Sequence, residues 1–283
     1  MRLNKYISNN SNYSRKVADL LLSEGKVKIN GKVVTPTTPL PTTKFKLTIN
    51  NKPIFDITNY TVIIYHKPKG EIVSKSDPQG RKTIFHSLSS RYKFFTPVGR
   101  LDYASEGLLL LSDSKRVASQ LMESSLTRKY IIKIDSKITK EMIEGLNIAV
   151  SEGLEIEDAR AGGHEKSLIT SMHFKFESYE ITKSSENFSR LKISLSEGKN
   201  RELRRFFAYF KANVLDLKRV SYGFISLNAL PVGKTRFLTK EEYKDLHEFL
   251  GDEQGFGKKK AFKKKVSNTK DLAKKDFDDE DFD

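Results

Sequence analysis

The order of apolar patterns along the chain limits its possible folds more than any other feature of the sequence. Segments with strand signals and segments with helical periodicity both occur, and the two types do not alternate regularly. This order favours an α+β fold with a mostly antiparallel sheet and flanking helices over a doubly wound parallel sheet. The strand signals lie at residues 60–65, 129–134, 172–179 and 191–195, and the helical signals at 114–123, 139–146, 200–210 and 239–250.

The first 50 residues predict a small domain that begins with two short helices. Apolar residues spaced i, i+3, i+4 indicate a first helix near residue 3. A second helix follows Ser14, a good N-cap, and ends at Gly25. Its predicted apolar face consists of Val17, Leu20 and Leu21.

A hairpin is predicted after these helices, and basic side chains line the whole unit. The pair Asn30-Gly31 lies between short apolar segments and supplies a tight turn, because both residues tolerate a positive φ. The basic residues between the apolar positions are Arg2, Lys5, Arg15, Lys16, Lys26, Lys28 and Lys32. Residues 1–34 contain seven basic residues and two acidic ones, which is a larger excess than solubility requires. This excess suggests that the unit binds phosphates, and a solvated helix face is the alternative.

Positive charge is concentrated in the first fifth of the chain. Residues 1–56 contain ten Lys and Arg against three Asp and Glu, in a chain whose net charge is +15. Such an excess on a small domain indicates a polyanion partner, nucleic acid above all. A membrane partner is not predicted, because no basic helix with an apolar face is apparent.

Composition shifts divide the chain into four parts. We predict a basic RNA-binding domain over residues 1–50, a linker over 51–59 and a second, larger domain over 60–250. The remaining residues, 251–283, form a tail in which a lysine block precedes an acidic block. Such a tail cannot bury enough apolar area to offset its ordering entropy, so it is predicted to be disordered.

Several classes of protein are excluded by what the sequence lacks. The chain has no Cys, which removes disulfides, thiolate nucleophiles and cysteine-ligated metals. No pair of His residues has a metal-ligand spacing, and no nucleotide-binding motif is complete, so neither a metal nor a cofactor is predicted. The longest apolar run has five residues and the N-terminus has no apolar signal core, so the expected location is the cytoplasm.

Three segments look able to carry chemistry. Residues 99–107 (GRLDYASEG) place three charges between apolar stretches, residues 128–130 (RKY) lead into a strand, and residues 197–205 (EGKNRELRR) begin a helix. A loop that precedes a rigid strand can hold a side chain in a cleft. Each segment also has a simpler interpretation, namely a turn-forming Asp, a core Tyr and a solvated basic helix face.

Helix geometry separates the arginines of the third segment. At about 100° per residue, Arg201 and Arg205 lie opposite the apolar stripe and are predicted to face solvent or RNA. Arg204 lies at the flank of the stripe, from which it can reach into a cleft at the helix edge.

These segments together resemble the bacterial ribosomal-RNA pseudouridine synthases of the RsuA type. The shared motifs are GRLDYASEGLLLLSDS from residue 99, RKY from 128 and EGKNRELRRFF from 197. The first domain resembles the RNA-binding domain named after ribosomal small-subunit protein S-four, and the similarity extends over about residues 1–250. Residues 66–70 (HKPKG) and 76–81 (SDPQGR) are closer to the large-subunit branch of this family.

The resemblance implies a role for each matching residue. Asp102 matches the catalytic aspartate, Tyr130 the tyrosine that packs on the target base, and Arg204 the basic partner of the aspartate. Arg100 matches the arginine that holds the flipped nucleotide. The neighbouring cations of the third motif, Lys199, Arg201 and Arg205, are expected to bind substrate.

The implied activity is the isomerisation of uridine to pseudouridine in ribosomal RNA, without a cofactor. The expected partner is ribosomal RNA, of the large subunit, or an assembling ribosomal subunit, and a monomer is expected because no dimer signature is evident. Two alternatives remain open at this point. One is a non-catalytic RNA-binding assembly factor, which would not need Asp102, and the other is a DNA-binding regulator, which would need a readable recognition helix.

Overall fold

The computed structural model of the protein describes residues 1–55, 59–163 and 167–251. The predicted disordered tail, apart from Gly251, lies outside the described residues. The described helices are α1 (Leu3–Asn9), α2 (Arg15–Ser23), α3 (Ile84–Ser87), α4 (Lys115–Met122), α5 (Lys140–Ser151), α6 (Glu202–Tyr209) and α7 (Lys240–Leu250).

The described strands form three sheets. They are β1 (Val27–Ile29), β2 (Lys32–Val33), β3 (Leu47–Ile49), β4 (Lys52–Ile54), β5 (Val62–Lys67), β6 (Thr96–Pro97), β7 (Glu106–Ser112), β8 (Arg128–Ile134), β9 (Leu154–Ile156), β10 (Met172–Phe174), β11 (Ser178–Ser184), β12 (Ser189–Leu195), β13 (Val214–Tyr222), β14 (Ile225–Ser226) and β15 (Thr235–Phe237).

The N-terminal unit packs α1 and α2 on an antiparallel sheet of order β2-β1-β3-β4. The buried face of α2 consists of Ala18, Leu21 and Leu22, whereas Val17 and Leu20 are exposed, so the predicted apolar face was right for Leu21 and wrong for the other two. Both sets of residues have the i, i+3, i+4 spacing, and periodicity alone does not distinguish them. The small Ala18 lets α1 approach α2 closely, which favours the observed face.

The large sheet has the strand order β11-β12-β8-β13-β7-β5-β15, with β14 and β6 attached to β13 and β7. Every pairing in it is antiparallel except that of β13 with β7. The predicted α+β fold with a mostly antiparallel sheet is therefore confirmed.

Helices cover both faces of this sheet over separate cores. One core joins Val117 of α4 and Leu246 of α7 to alternate residues of β5 and β7. The other joins Met142 of α5 and Phe206 of α6 to residues of β8 and β12. The sheet is thus a rigid platform between two helix layers, and its loops at one end are held in fixed positions.

The strand predicted at 172–179 is interrupted. Met172–Phe174 pairs with β9 in a small separate sheet, whereas the chain from Ser178 joins the large sheet. Between them, Lys175 Nζ donates to the carbonyl oxygens of Val150 and Ser151 at 3.0 and 2.8 Å. The chain turns there across the end of α5, and apolar alternation alone could not reveal this change of sheet.

Among the described residues, no helix combines the length and the apolar character that crossing a membrane requires.

Candidate active site

The described residues enclose a cavity of about 480 Å³ at one end of the large sheet. Its walls come from the loop before β7, the end of α4, the start of β8, the turn before α6, and β13. All three segments that the sequence singled out meet in this cavity. No cluster of three or more His, Asp and Glu that could hold a metal ion occurs in the described part of the chain.

Asp102 lies between two arginines at this cavity. Its Oδ2 is 3.7 Å from Nη1 of Arg201 and 3.8 Å from Nε of Arg204, and its side chain is 35% exposed. No described residue donates a hydrogen bond to this carboxylate. Both oxygens can therefore act as a nucleophile or a base while two cations stabilise their negative charge.

Arg204 ties the loop that carries Asp102 to the rest of the fold. Its Nη1 donates to the carbonyl oxygen of Val214 at 2.8 Å, and its Nη2 donates to that of Ala104 at 3.2 Å. Burial, followed by the nearby Arg201, lowers the pKa of Arg204. The structure thus places Arg204 at the flank of α6, facing a cleft, where the helix geometry had located it.

Arg201 reaches Asp102 because it is not part of the helix. Its φ of 52° is left-handed, and α6 begins one residue later. In this conformation Arg201 Nε donates to the carbonyl oxygen of Gly162 at 2.6 Å. The sequence prediction assumed a helix from residue 200, whereas α6 begins at Glu202, so helical geometry does not apply to Arg201, although the residue does line the cavity.

Arg205 was predicted to face solvent or RNA, and this prediction was wrong, because the residue faces neither solvent nor the cavity. Its side chain is fully buried, with Nε donating to the carbonyl oxygen of Asn200 at 3.1 Å and Nη2 to Oγ of Ser167 at 2.8 Å. Nη1 donates to the carbonyl oxygen of Ala159. Ala159, Ser167 and Ile169 thus cover this side of α6, and helix periodicity gave no sign of it.

Lys67 is a site residue that the sequence reasoning missed. It is fully buried, and its Nζ donates to the carbonyl oxygens of Pro68, Asp102 and Ser105 at 2.8, 3.1 and 2.9 Å. Burial lowers the pKa of Lys67 to about 8, despite the attraction of nearby carboxylates. Two of these bonds fix the backbone on either side of the turn after Asp102. The sequence of the HKPKG motif does not indicate that its first lysine is buried.

Tyr130 lines the cavity from the centre of the sheet. It is 7% exposed on β8, opposite Ile193 of β12 and Arg219 of β13. Arg219 was also missed; its buried Nε donates to the carbonyl oxygen of Leu108 at 2.7 Å, and the residue lines the same wall. This wall offers a flat aromatic face beside a cation.

Glu202 is the third residue that was missed. Oε2 accepts a hydrogen bond from the backbone N–H of Lys199 at 3.0 Å, whereas Oε1 is buried without a partner among the described residues. Burial raises the pKa of Glu202 to about 6. Glu202 thereby holds the turn that carries Lys199 and Arg201.

The other two predicted substrate-binding residues, Arg100 and Lys199, differ in whether their charged groups already have partners in the fold. Arg100 is exposed at the cavity, directly after Gly99 with its φ of 69°. Lys199 also lines the cavity, but its Nζ donates to the carbonyl oxygen of His173 at 2.6 Å and pairs with Glu197 at 2.7 Å.

The basic residues of the N-terminal unit also fall into two groups. Lys5 Nζ lies 2.8 Å from Glu123 at the end of α4, Lys26 pairs with Glu24 at 2.7 Å, and Lys28 bonds to Asn51 at 3.1 Å. The remaining predicted residues are exposed and make no side-chain ion pair with a described residue: Arg2, Arg15, Lys16 and Lys32. Lys5 therefore holds the two units together in this structure.

Two family models match the chain. The model described as RNA pseudouridylate synthase matches residues 61–209, which include every wall of the cavity except β13. The model described as S4 domain matches residues 1–42.

Similar proteins cover almost the whole described chain. An "Uncharacterized RNA pseudouridine synthase" of Helicobacter pylori (strain J99) is 48% identical over 255 residues, which are 89% of this chain and 95% of that protein. The "Ribosomal large subunit pseudouridine synthase B" of Bacillus subtilis is 30% identical over 247 residues, 87% and 95% of the two chains. A crystal structure of a pseudouridylate synthase has the same fold, with a TM-score of 0.55 at 22% identity, covering 87% of this chain and 99% of that one.

Proposed function

This chain belongs to the RNA pseudouridylate synthase family, and on that premise we propose that it isomerises a specific uridine of large-subunit ribosomal RNA with Asp102 as its catalytic residue. The observation that carries the proposal is the position of Asp102, held between Arg201 and Arg204 in a cavity that Tyr130 also lines. The name of the Bacillus subtilis relative supports the large subunit as the source of the RNA.

The reaction conserves every atom of the substrate. The bond between N1 of uracil and C1′ of ribose breaks, the base turns, and a bond from C5 to C1′ replaces it. The proton on C5 leaves and N1 gains one, so no oxidant, reductant or leaving group is required. A carboxylate with two free oxygens, such as Asp102, can assist either by covalent addition or by accepting a proton.

The other residues of the cavity would hold the nucleotide in place. A base must leave its stack to enter such a cavity, which costs a few kcal/mol that new contacts offset. Tyr130 offers a stacking face to the base, and Arg100 and Arg201 offer charge to the flanking phosphates. Arg204 and Lys67 act through the backbone, because both hold the loop on which Asp102 lies.

The N-terminal domain supplies the anchoring. Four of its predicted cations are exposed and make no ion pair with a described carboxylate, which suits contacts to the RNA backbone. We also propose that the enzyme acts as a monomer in the cytoplasm. Segments of one chain form the walls of the cavity, which supports the monomer, and a ribosomal RNA substrate supports the cytoplasm. Size measurement by light scattering at micromolar concentration tests the monomer, and a dimer would contradict it.

Release of tritium from uridine labelled at C5 tests the reaction. Wild-type protein should release label from a transcript of large-subunit ribosomal RNA, and Asp102→Asn should release none. The matched control is Asp245→Asn on α7, where an exposed carboxylate far from the cavity becomes an amide with no loss of release.

Each other outcome contradicts a particular part of the proposal. Release by Asp102→Asn at the wild-type rate would remove this residue from catalysis. Release from small-subunit RNA alone would contradict the choice of substrate. Tight binding of both RNAs without any release by the wild type would favour the non-catalytic assembly factor.

A further inference from the structure

Part of the large sheet has a face that no described helix covers. The face of β8 that bears Lys129 and Ile131 is exposed, as are Arg190 and Lys192 of the neighbouring β12. Tyr130, on the same strand, points to the opposite face and the cavity. This open face lies beside the region that α4 and α7 cover, and its edge strand is β11.

Three cations lie side by side across this open face. Lys183 of β11 is directly opposite Arg190 of β12, and Arg190 is directly opposite Lys133 of β8. None of the three side chains makes an ion pair with a described residue. Like charges in directly opposite positions destabilise a sheet, so this row costs stability in the isolated protein.

The next row of the same face shows how such charges are usually balanced. There Lys192 pairs with Glu180 at 3.0 Å, and Lys218 pairs with Glu106 at 3.5 Å. Two carboxylates near the three cations are paired with other lysines. Glu186, in the turn, pairs with Lys137 at 2.6 Å, and Asp216 of β13, directly opposite Lys133, pairs with Lys69. The three cations of the first row, which have no such ion pairs, therefore differ from the row beside them.

All three cations lie close to one aromatic ring. Lys183 Nζ lies 4.6 Å, Lys133 Nζ 4.8 Å and Arg190 Cζ 5.6 Å from the centre of the Phe188 ring. Phe188 lies in the turn between β11 and β12, where its carbonyl oxygen accepts from Ser185 N. Cation–π contacts of this kind hold the charges without neutralising them, so the row remains a fixed positive patch.

We propose that this row, Lys183, Arg190 and Lys133 around Phe188, binds the phosphate backbone of a double-stranded segment of the substrate RNA. The patch lies on the face opposite Tyr130 and about 17 Å along β8 from the cavity end, counted over five residues. It would therefore contact a part of the RNA distant from the target uridine.

The form of the patch favours a duplex over single-stranded RNA. The face is a flat sheet surface without a cleft for splayed bases, and the cations already occupy the one ring among them. Double-stranded RNA is recognised mainly through its shape and its phosphates, which a row of fixed cations can follow. The proposal rests on the proposed function only in taking RNA as the substrate.

Binding to a mixed-sequence RNA duplex, measured by fluorescence anisotropy over a range of salt concentrations, tests this inference. The row variant Lys133→Gln/Lys183→Gln/Arg190→Gln should bind at least about fivefold more weakly at low salt. Its slope of log K against log salt should be shallower by about two to three, because each lost phosphate contact removes a little under one unit. Phe188→Leu, which changes no charge, should produce a smaller loss in the same direction.

The matched control removes three exposed lysines from other parts of the molecule: Lys140→Gln/Lys234→Gln/Lys244→Gln. This control variant should keep most of the wild-type slope of log K against log salt. The row variant should also melt at or above the wild-type temperature, because its repulsion is relieved. Tritium release measured over a range of concentrations of labelled ribosomal RNA should give the row variant a normal kcat and a raised KM.

Two results would overturn the inference. An unchanged salt slope in the row variant would show that the row does not touch RNA and would leave an acidic protein as its partner. Equal losses in the row and control variants would show only general charge attraction. Because duplex binding is measured without turnover, neither result depends on whether Asp102 is catalytic.

Discussion

At the scale of single residues, Glu202 links the chemistry of the cavity to the stability of the fold. One oxygen of its carboxylate caps the backbone of Lys199, and burial raises its pKa to about 6. A raised pKa means that the folded state prefers the protonated form. The stability that this preference contributes is fully present below the unfolded pKa, near 4.5, and is lost as the pH rises through about 6.

Glu202→Gln should therefore change the pH dependence of unfolding. Gln keeps an oxygen that accepts from Lys199 N but carries no charge to desolvate. At pH 8 the variant should be more stable than the wild type by up to about 2 kcal/mol, and the advantage should disappear near pH 4.5. Urea unfolding at several pH values measures this difference. A difference that does not vary with pH would show that Glu202 does not titrate in this range.

Site residues whose role depends on burial could not be identified from the sequence, whereas the others could. Asp102 and Arg204 were identified by motif and by helix edge, and their side chains lie 3.8 Å apart. Lys67 and Arg219 were not, because a cation buried against carbonyl oxygens looks like a surface residue until the tertiary fold is known. Arg205 was misplaced for the same reason.

At the scale of elements, the strand most easily overlooked is the one that joins the two halves of the sheet. β13 pairs with β8 through two register shifts, near Val214 and near Arg219, so its sequence lacks regular alternation. The helices α4, α5, α6 and α7 were predicted to within a few residues, because each has a strong apolar stripe or N-cap. Irregular strands need tertiary contacts that periodicity does not encode.

The parallel pairing of β13 with β7 depends on one glycine. Gly107 has a φ of 113°, and a Cβ there would overlap the backbone of Arg219. Gly107→Ala should lower the free energy of unfolding by at least about 3 kcal/mol. Gly80→Ala is the control, since φ is also positive, at 70°, but nothing lies near the added methyl, and it should cost about 1 kcal/mol. Equal losses in chemical denaturation would contradict the role of close packing.

At the scale of the whole molecule, the N-terminal unit rests on α4. Lys5 pairs with Glu123, and Lys115 Nζ donates to the carbonyl oxygens of Ser11 and Tyr13, at 3.2 Å each. This contact leaves other cations of the unit free, so the basic surface is narrower than the sequence suggested. Composition located the charge in the right unit, but pairing within the fold decides which charges are available.

Variants of the N-terminal unit should separate these two groups of cations. Arg2→Gln/Lys16→Gln/Lys32→Gln should weaken binding of ribosomal RNA and reduce the slope of log K against log salt by about two to three. Lys5→Gln alone should change that slope by less than one unit, because the charge of Lys5 is already balanced by Glu123. Filter binding across salt concentrations measures both. A larger effect of Lys5→Gln than of the triple variant would contradict this division.

The way in which the cavity holds its cations has a consequence for product release. Arg128 in the cavity wall, and Lys67 and Arg204 behind it, are held largely by backbone carbonyl oxygens, Arg128 through Ser196 at 2.5 Å. Carbonyl dipoles orient a cation but leave its net charge in place, so the cavity attracts a modified strand as strongly as an unmodified one. Isomerisation removes no phosphate, and thus nothing in the product weakens that attraction. The enzyme must then rely on refolding of the RNA, or on its assembly with other partners, to be released from what it has made.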